Sequence, residues 1–183
     1  MNYNKLTIQE TKIQYTFEIS TNIEEIFQFY QDMGRNSITK KKISEWLKNG
    51  HHCWLAWSGN KVVGGLWIFF GHINLHTLSA RVLSKNKNIL FDDNIGYKGY
   101  VIIHPSYRGK GIYSLFNDSV IKYYYKNNKV TKILLITGAS NGAVIKTVMN
   151  SHGKLIGIVE VRNICGIVNR KEIFIDPKEK TWR

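Results

Sequence analysis

The stretch Val101-Ile-Ile-His-Pro-Ser-Tyr-Arg-Gly-Lys-Gly-Ile-Tyr-Ser-Leu-Phe116 constrains this 183-residue chain more than any other. A strand over 97–103 runs up to Pro105, which cannot donate to a sheet ladder. Two glycines follow, and a helix opens at Gly111 with Ile112, Leu115, Phe116 and Ile121 on its apolar side. Gly109 and Gly111 admit positive φ and let successive backbone N–H groups point outward. The unpaired amides of a helix start, with the positive end of its dipole, form an anion site. Arg108 and Lys110 add two formal positive charges beside it. Physically the segment is a phosphate or pyrophosphate cradle; the plainer alternative is a glycine-containing strand-to-helix turn.

Spacing narrows the ligand. The P-loop pattern G-x-x-x-x-G-K-[ST] is absent. The dinucleotide fingerprint needs a glycine where Ser114 stands, and it opens the first βαβ unit, whereas this loop comes late. Both nucleoside-triphosphate hydrolysis and dinucleotide redox chemistry are disfavoured.

The rest of the chain reads as an α/β domain with a mixed sheet. Residues 12–20 alternate as a strand. Thr21 or Asn22 caps a helix with Glu24 and Glu25 in its first turn, ending near Gly34. Thr39 caps a second helix that stops at Gly50. Residues 52–57 and 62–70 flank Ser58-Gly59-Asn60-Lys61 as a hairpin. Residues 72–78 are read as an extension of the sheet and 84–88 as a loop. The apolar run 132–137 fits a buried parallel strand, so 97–137 is a right-handed β-α-β crossover. A helix over 141–151 and an antiparallel pair, 154–161 with 165–175, complete one domain over 1–183.

The segment Arg108-Gly-Lys-Gly-Ile112, after a strand ending in His104-Pro105, resembles the coenzyme A pyrophosphate loop of the GNAT N-acetyltransferase superfamily, [RQ]-x-x-G-x-[GA]. Tyr113 departs at the final small position. The order of elements matches that fold over roughly 12–175. The resemblance implies a mixed, mostly antiparallel sheet with helices on both faces and a central splayed parallel strand pair. It implies acetyl-CoA as donor and co-substrate, with no metal. Main-chain groups of Val101, Ile102 and Ile103 would pair with the pantetheine arm in the gap of that strand pair. Arg108, Gly109, Lys110, Gly111, Ile112 and Tyr113 would hold the pyrophosphate, and Asn141 matches an Asn that the family often has after the next strand. The Tyr of the following helix falls on Val148 or Met149, neither of which can protonate a leaving thiolate, and Lys154 replaces the Phe after Gly153.

Amine acetylation needs a neutral amine and a route for its proton. In relatives the base is often a carboxylate near the start of the strand entering the loop, where Asp92, Asp93, Tyr97 and Tyr100 stand. Asp93 and Tyr97 are the chosen candidates; a solvated turn and strand packing are the plainer roles for these groups. His104 is read as a structural histidine. His72 and His76 would share one face of a strand and could line an acceptor pocket. Cys53 is read as a buried thiol, and five tryptophans mostly as core.

The charge is 26 Lys+Arg against 13 Asp+Glu, or +13. Such an excess favours an anionic partner without choosing one. The acceptor is expected to be a small-molecule primary amine, for which an amino-sugar nucleotide would suit the charge. No aromatic-rich nucleic-acid motif is present, which counts against sequence-specific RNA reading. The rival reading is a non-catalytic module of the same fold that binds RNA or an acidic carrier protein. A third keeps catalysis with a carrier protein or aminoacyl-tRNA as donor. The first eleven residues lack an apolar run, and no window approaches eighteen uncharged apolar residues. The expectation is a cytoplasmic chain without a membrane span.

Overall fold

The computed structural model describes residues 5–10, 13–74, 88–92, 94–127, 130–164 and 167–175. In chain order the first elements are β1 (Lys5–Glu10), β2 (Ile13–Ser20), α1 (Ile23–Asp32), α2 (Lys40–Lys48), β3 (His52–Ser58), β4 (Lys61–Phe70), β5 (His72–Asn74) and β6 (Asn88–Leu90). There follow β7 (Ile95–Ile103), a 3-10 turn (Pro105–Tyr107), α3 (Ile112–Lys126), β8 (Lys132–Leu135), α4 (Gly142–Asn150), β9 (Gly157–Ile164) and β10 (Ile167–Phe174). They divide between two compact units, residues 1–70 with 96–135 and residues 71–95 with 136–183.

The first unit holds a six-stranded sheet in the order β1-β2-β3-β4-β7-β8. Pairing is antiparallel from β1 to β7, and the β7-α3-β8 crossover supplies the parallel pair. Strand β1 has no counterpart in the sequence reading. Its Leu6 and Ile8 alternate with polar residues, and it pairs antiparallel with β2 over its whole length. The helix starts are those the capping residues predict. Asn22 accepts from the amides of Glu24 and Glu25 at 3.1 and 3.3 Å, and Thr39 accepts from that of Lys42 at 3.3 Å.

Helices cover both faces. On one, Ile112, Phe116, Val120 and Tyr124 of α3 pack with Phe17, Trp54, Ile68 and Ile103. Phe116 stacks on Phe17 at 5.2 Å between ring centroids. Trp54 donates its indole N–H to the Tyr124 hydroxyl at 3.1 Å, and His52 Nδ1 lies 2.6 Å from the same oxygen. On the other face Trp46 of α2 meets Trp67 and Phe69 edge-on at 4.9 and 5.1 Å. Helix α1 reaches the sheet at Gly65, where a Cβ would stand 2.7 Å from Phe29 Cε1, so only glycine allows that approach.

The β4–β7 ladder shifts register between Gly65 and Trp67. Tyr100, with φ +51°, takes up the irregularity on β7. Its carbonyl accepts the Tyr30 hydroxyl at 2.9 Å, which ties α1 to the bend.

His51, 3% exposed, accepts the Phe70 amide at its Nδ1, 3.3 Å away. Burial, then the neighbouring His52, lowers its pKa from 6.5 to about 4. A histidine lowered in the fold contributes stability that is full above 6.5 and lost as pH falls through about 4. Acid titration of thermal stability is therefore expected to show a loss across that window, and His51→Gln to flatten it.

In the second unit β5 and β6 pair antiparallel as a separate two-stranded sheet, so 72–74 does not extend the main one. Residues 75–87, with His76, lie outside the described residues. Strands β9 and β10 pair antiparallel as expected, but β9 begins at Gly157 and not at 154. The chain is still held to the end of α4 there: the Gly153 amide donates to the Val148 carbonyl at 2.8 Å. Among the described residues no helix is long and apolar enough to cross a membrane.

Candidate active site

The cradle is built by the exit of β7. The His104 amide donates to Val63 O at 2.9 Å, joining the end of β7 to β4. His104 then caps the 3-10 turn, its Nδ1 accepting the Ser106 amide at 3.3 Å, a structural role as expected. Arg108 Nε donates to Ile103 O at 3.0 Å and closes the loop on its own start. Lys110 Nζ lies 5.4 Å from the centre of the Tyr107 ring.

Gly109 and Gly111 both have φ +74°. A Cβ on either would meet no protein atom within 4 Å. Packing therefore does not require these glycines; backbone conformation does, together with whatever fills the open space above them. Gly111 is the N-cap of α3 and supplies no capping side chain. The Leu115 amide is the first to bond back, to Gly111 O at 3.2 Å. The amides of Ile112, Tyr113 and Ser114 thus belong to the helix turn that has no intrahelical partner. Ile112 is 1% exposed, so its side chain serves the core and only its amide is available to an anion. The helix start thus presents unpaired backbone amides to open space, an arrangement suited to an anion.

Tyr113 does not crowd the loop. Its ring turns inward against Lys98, whose Nζ is 5.6 Å from the ring centre, and its hydroxyl is buried without a hydrogen-bond partner. Burial pushes that phenol up to about 12. Lys98 is the residue that sequence reasoning missed. It is 3% exposed, hydrogen-bonded through Nζ to the buried Asn117 side chain, and lowered by burial to about 8, with Asp118 opposing the shift. The signal was present: Lys98 lies opposite Ile68, on the face that α3 covers, where alternation calls for an apolar residue.

The remaining candidates fall in different places. Val101 packs on the α3-side core, and Ile102 and Ile103 are each 9% exposed. Tyr97 is buried, opposite Phe69 in register and 6.4 Å from its ring. Asp93 lies outside the described residues. Asp92 is exposed and its carbonyl accepts the Ile95 amide at 3.2 Å, a turn before β7. In the second unit Asn141 caps α4, its side chain accepting the Val144 amide at 3.4 Å. Val148 is half-buried there and Met149 exposed. Cys53 is buried and its thiol is pushed up by burial, as an unreactive core thiol should be. Trp46, Trp54 and Trp67 are core residues, Trp57 is half-buried, and Trp182 and Cys165 lie outside the described residues.

The sequence model of the acetyltransferase (GNAT) family matches residues 20–153, and the chain belongs to that family. No curated protein matches it in sequence. Among solved structures it is similar to an acetyltransferase of GNAT family from Streptococcus pneumoniae, with 14% identity and TM-score 0.58 over 87% of this chain and 96% of that one. It is similar to Arabidopsis thaliana NAA60 in complex with a bisubstrate analogue, with 14% identity and TM-score 0.57 over 87% and 95%. It is also similar to AAC(6')-Iy in complex with the bisubstrate analogue CoA-S-monomethyl-acetylneamine, with 12% identity and TM-score 0.55 over 82% and 99%. At such identities the likeness is one of fold.

Proposed function

We propose that the protein is a cytoplasmic N-acetyltransferase that moves an acetyl group from acetyl-CoA to a primary amine, with an amino-sugar nucleotide as the favoured acceptor. The observation that carries this is the pair of left-handed glycines at the start of α3, which turn a helix N-terminus into a backbone anion site. Family membership selects CoA among the anions that such a site could take. In this reading Arg108, Gly109, Lys110, Gly111, Ile112 and Tyr113 form the pyrophosphate loop, with Asn141 a further cofactor contact. Main-chain groups of Val101, Ile102 and Ile103 take the pantetheine arm.

The thioester supplies an activated acyl carbon. A neutral amine nitrogen attacks it directly in a ternary complex, the carbon–sulfur bond breaks, and the thiolate leaves with its electron pair. The proton shed by the nitrogen passes to a base, for which Asp93 and Tyr97 are the candidates. With Val148 and Met149 in place of a helix tyrosine, thiolate departure is helped by another donor, by water or by the low basicity of the thiolate itself. A thiol of pKa about 8.5 permits this, at a cost of about 10²–10⁴-fold in rate against an enzyme that has the acid. The high positive charge suits an anionic acceptor, of which a nucleotide-linked amine is one.

The test begins with calorimetry of acetyl-CoA binding. Thiol release is then followed across amino sugars and their nucleotides, amino acids, polyamines and basic peptides at several pH values. Saturable, amine-dependent release that rises with pH is expected. Tight CoA binding without any such release would leave the binding module as the better reading. Release that ignores the amine would be hydrolysis, and the acceptor assignment would fail.

A further inference from the structure

We propose that Lys98 is a positioning residue of the cofactor site, a buried cation beneath the first turns of α3 that completes the anion cradle from inside the fold. This rests on the reading of that loop as the CoA site. Lys98 sits in the middle of β7, and its ammonium is held by the Asn117 side chain, one helical turn beyond Tyr113. The Tyr113 ring lies against the same ammonium, and the Tyr113 amide belongs to the helix start. Lys98 therefore stands alongside the opening turns of the helix whose N-terminus forms the cradle.

That arrangement works against the stability of the protein without ligand. The N-terminal end of a helix carries positive potential, and a cation placed near it is repelled. Burial adds a desolvation cost, which is the reason the ammonium is lowered to about 8. Its hydrogen-bond acceptor is a neutral amide, and Asp118 helps only through space. A fold selected for stability alone would place an apolar side chain opposite Ile68. Two positive sources held together inside the fold are relieved by an anion at the mouth of the cradle. At pH 7 a lysine of pKa about 8 is still mostly an ammonium, so the charge is present when the anion arrives.

The consequence is that binding and stability move in opposite directions on substitution. Two variants test this: Lys98→Met, which keeps the length without the charge, and Lys98→Met with Asn117→Leu, which leaves no orphaned amide. Melting temperature and acetyl-CoA dissociation constant are measured for both beside the unchanged protein. The double variant should melt at or above the parent temperature, and both variants should bind acetyl-CoA about tenfold more weakly, the scale expected of a unit charge near a pyrophosphate at intermediate dielectric. Affinity equal to the parent in the double variant overturns the assignment. So does failure of both variants to fold, which would make the Lys98–Asn117 pair a stability element only. If the parent protein itself binds no CoA thioester, the cofactor reading falls first and this one with it.

Discussion

Gly111→Val is expected to abolish acetyl-CoA binding while leaving the protein folded. Gly111 has φ +74°, a region in which a β-branched residue carries strain of about 1–3 kcal/mol. The local backbone would relax toward negative φ and turn the cap amides away from the cradle. The added side chain would also project into space that is open, because a Cβ there meets no protein atom within 4 Å. That space is where an anion at the helix start has to sit. No core residue is touched, so circular dichroism should keep its folded spectrum. Calorimetry should show no heat with acetyl-CoA. Arg108→Ala should weaken binding less, since its Nε bond to Ile103 O shapes the loop while the amides remain. Equal loss in the two folded variants would mean that side-chain charge, not the amide cradle, holds the phosphates.

Phe116→Ala is expected to have the largest effect on stability. Phe116 is fully buried and stacked on Phe17, at the point where α3 is pressed on the sheet. Truncating a buried phenylalanine to alanine typically costs about 3–5 kcal/mol, from lost burial and the cavity left behind. For a chain of this size that lowers the melting temperature by roughly 6–20 °C. Because α3 carries the cradle at its N-terminus, acetyl-CoA should recover part of the loss in proportion to its occupancy. A thermal melt with and without acetyl-CoA measures both. A change of a degree or less would mean that α3 is not seated on this face of the sheet.

The helix caps, the hairpin over β3 and β4, and the β7-α3-β8 crossover were legible because each is written in local chemistry. Asn22, Thr39, Gly109 and Gly111 act within a few residues of themselves, and the structure finds each in the conformation its type favours. The conformation of the cradle was legible for the same reason: its donors are backbone amides, and glycine spacing alone determines where they point. Strand β1 was not read, although Leu6 and Ile8 alternate with polar residues, because two apolar positions in a short run are a weak signal until the pairing with β2 is seen. The start of β9 was missed because the Gly153 amide bonds back to Val148 and delays the strand, a contact that no periodicity encodes.

By itself the sequence determined the fold class and the backbone conformation of the glycine loop, since apolar periodicity, capping and glycine conformation are local properties. It marked Tyr113 only as a departure at a position where a small residue is expected, and it assigned Lys98 nothing. Only the tertiary structure decided these. A lysine becomes a buried cation when a helix from later in the chain covers it, and a tyrosine turns inward when that lysine is there to meet its ring. Burial and charge proximity belong to residues brought together from distant parts of the chain. In the proposed cofactor site they would set the electrostatics of a loop whose shape local chemistry has set.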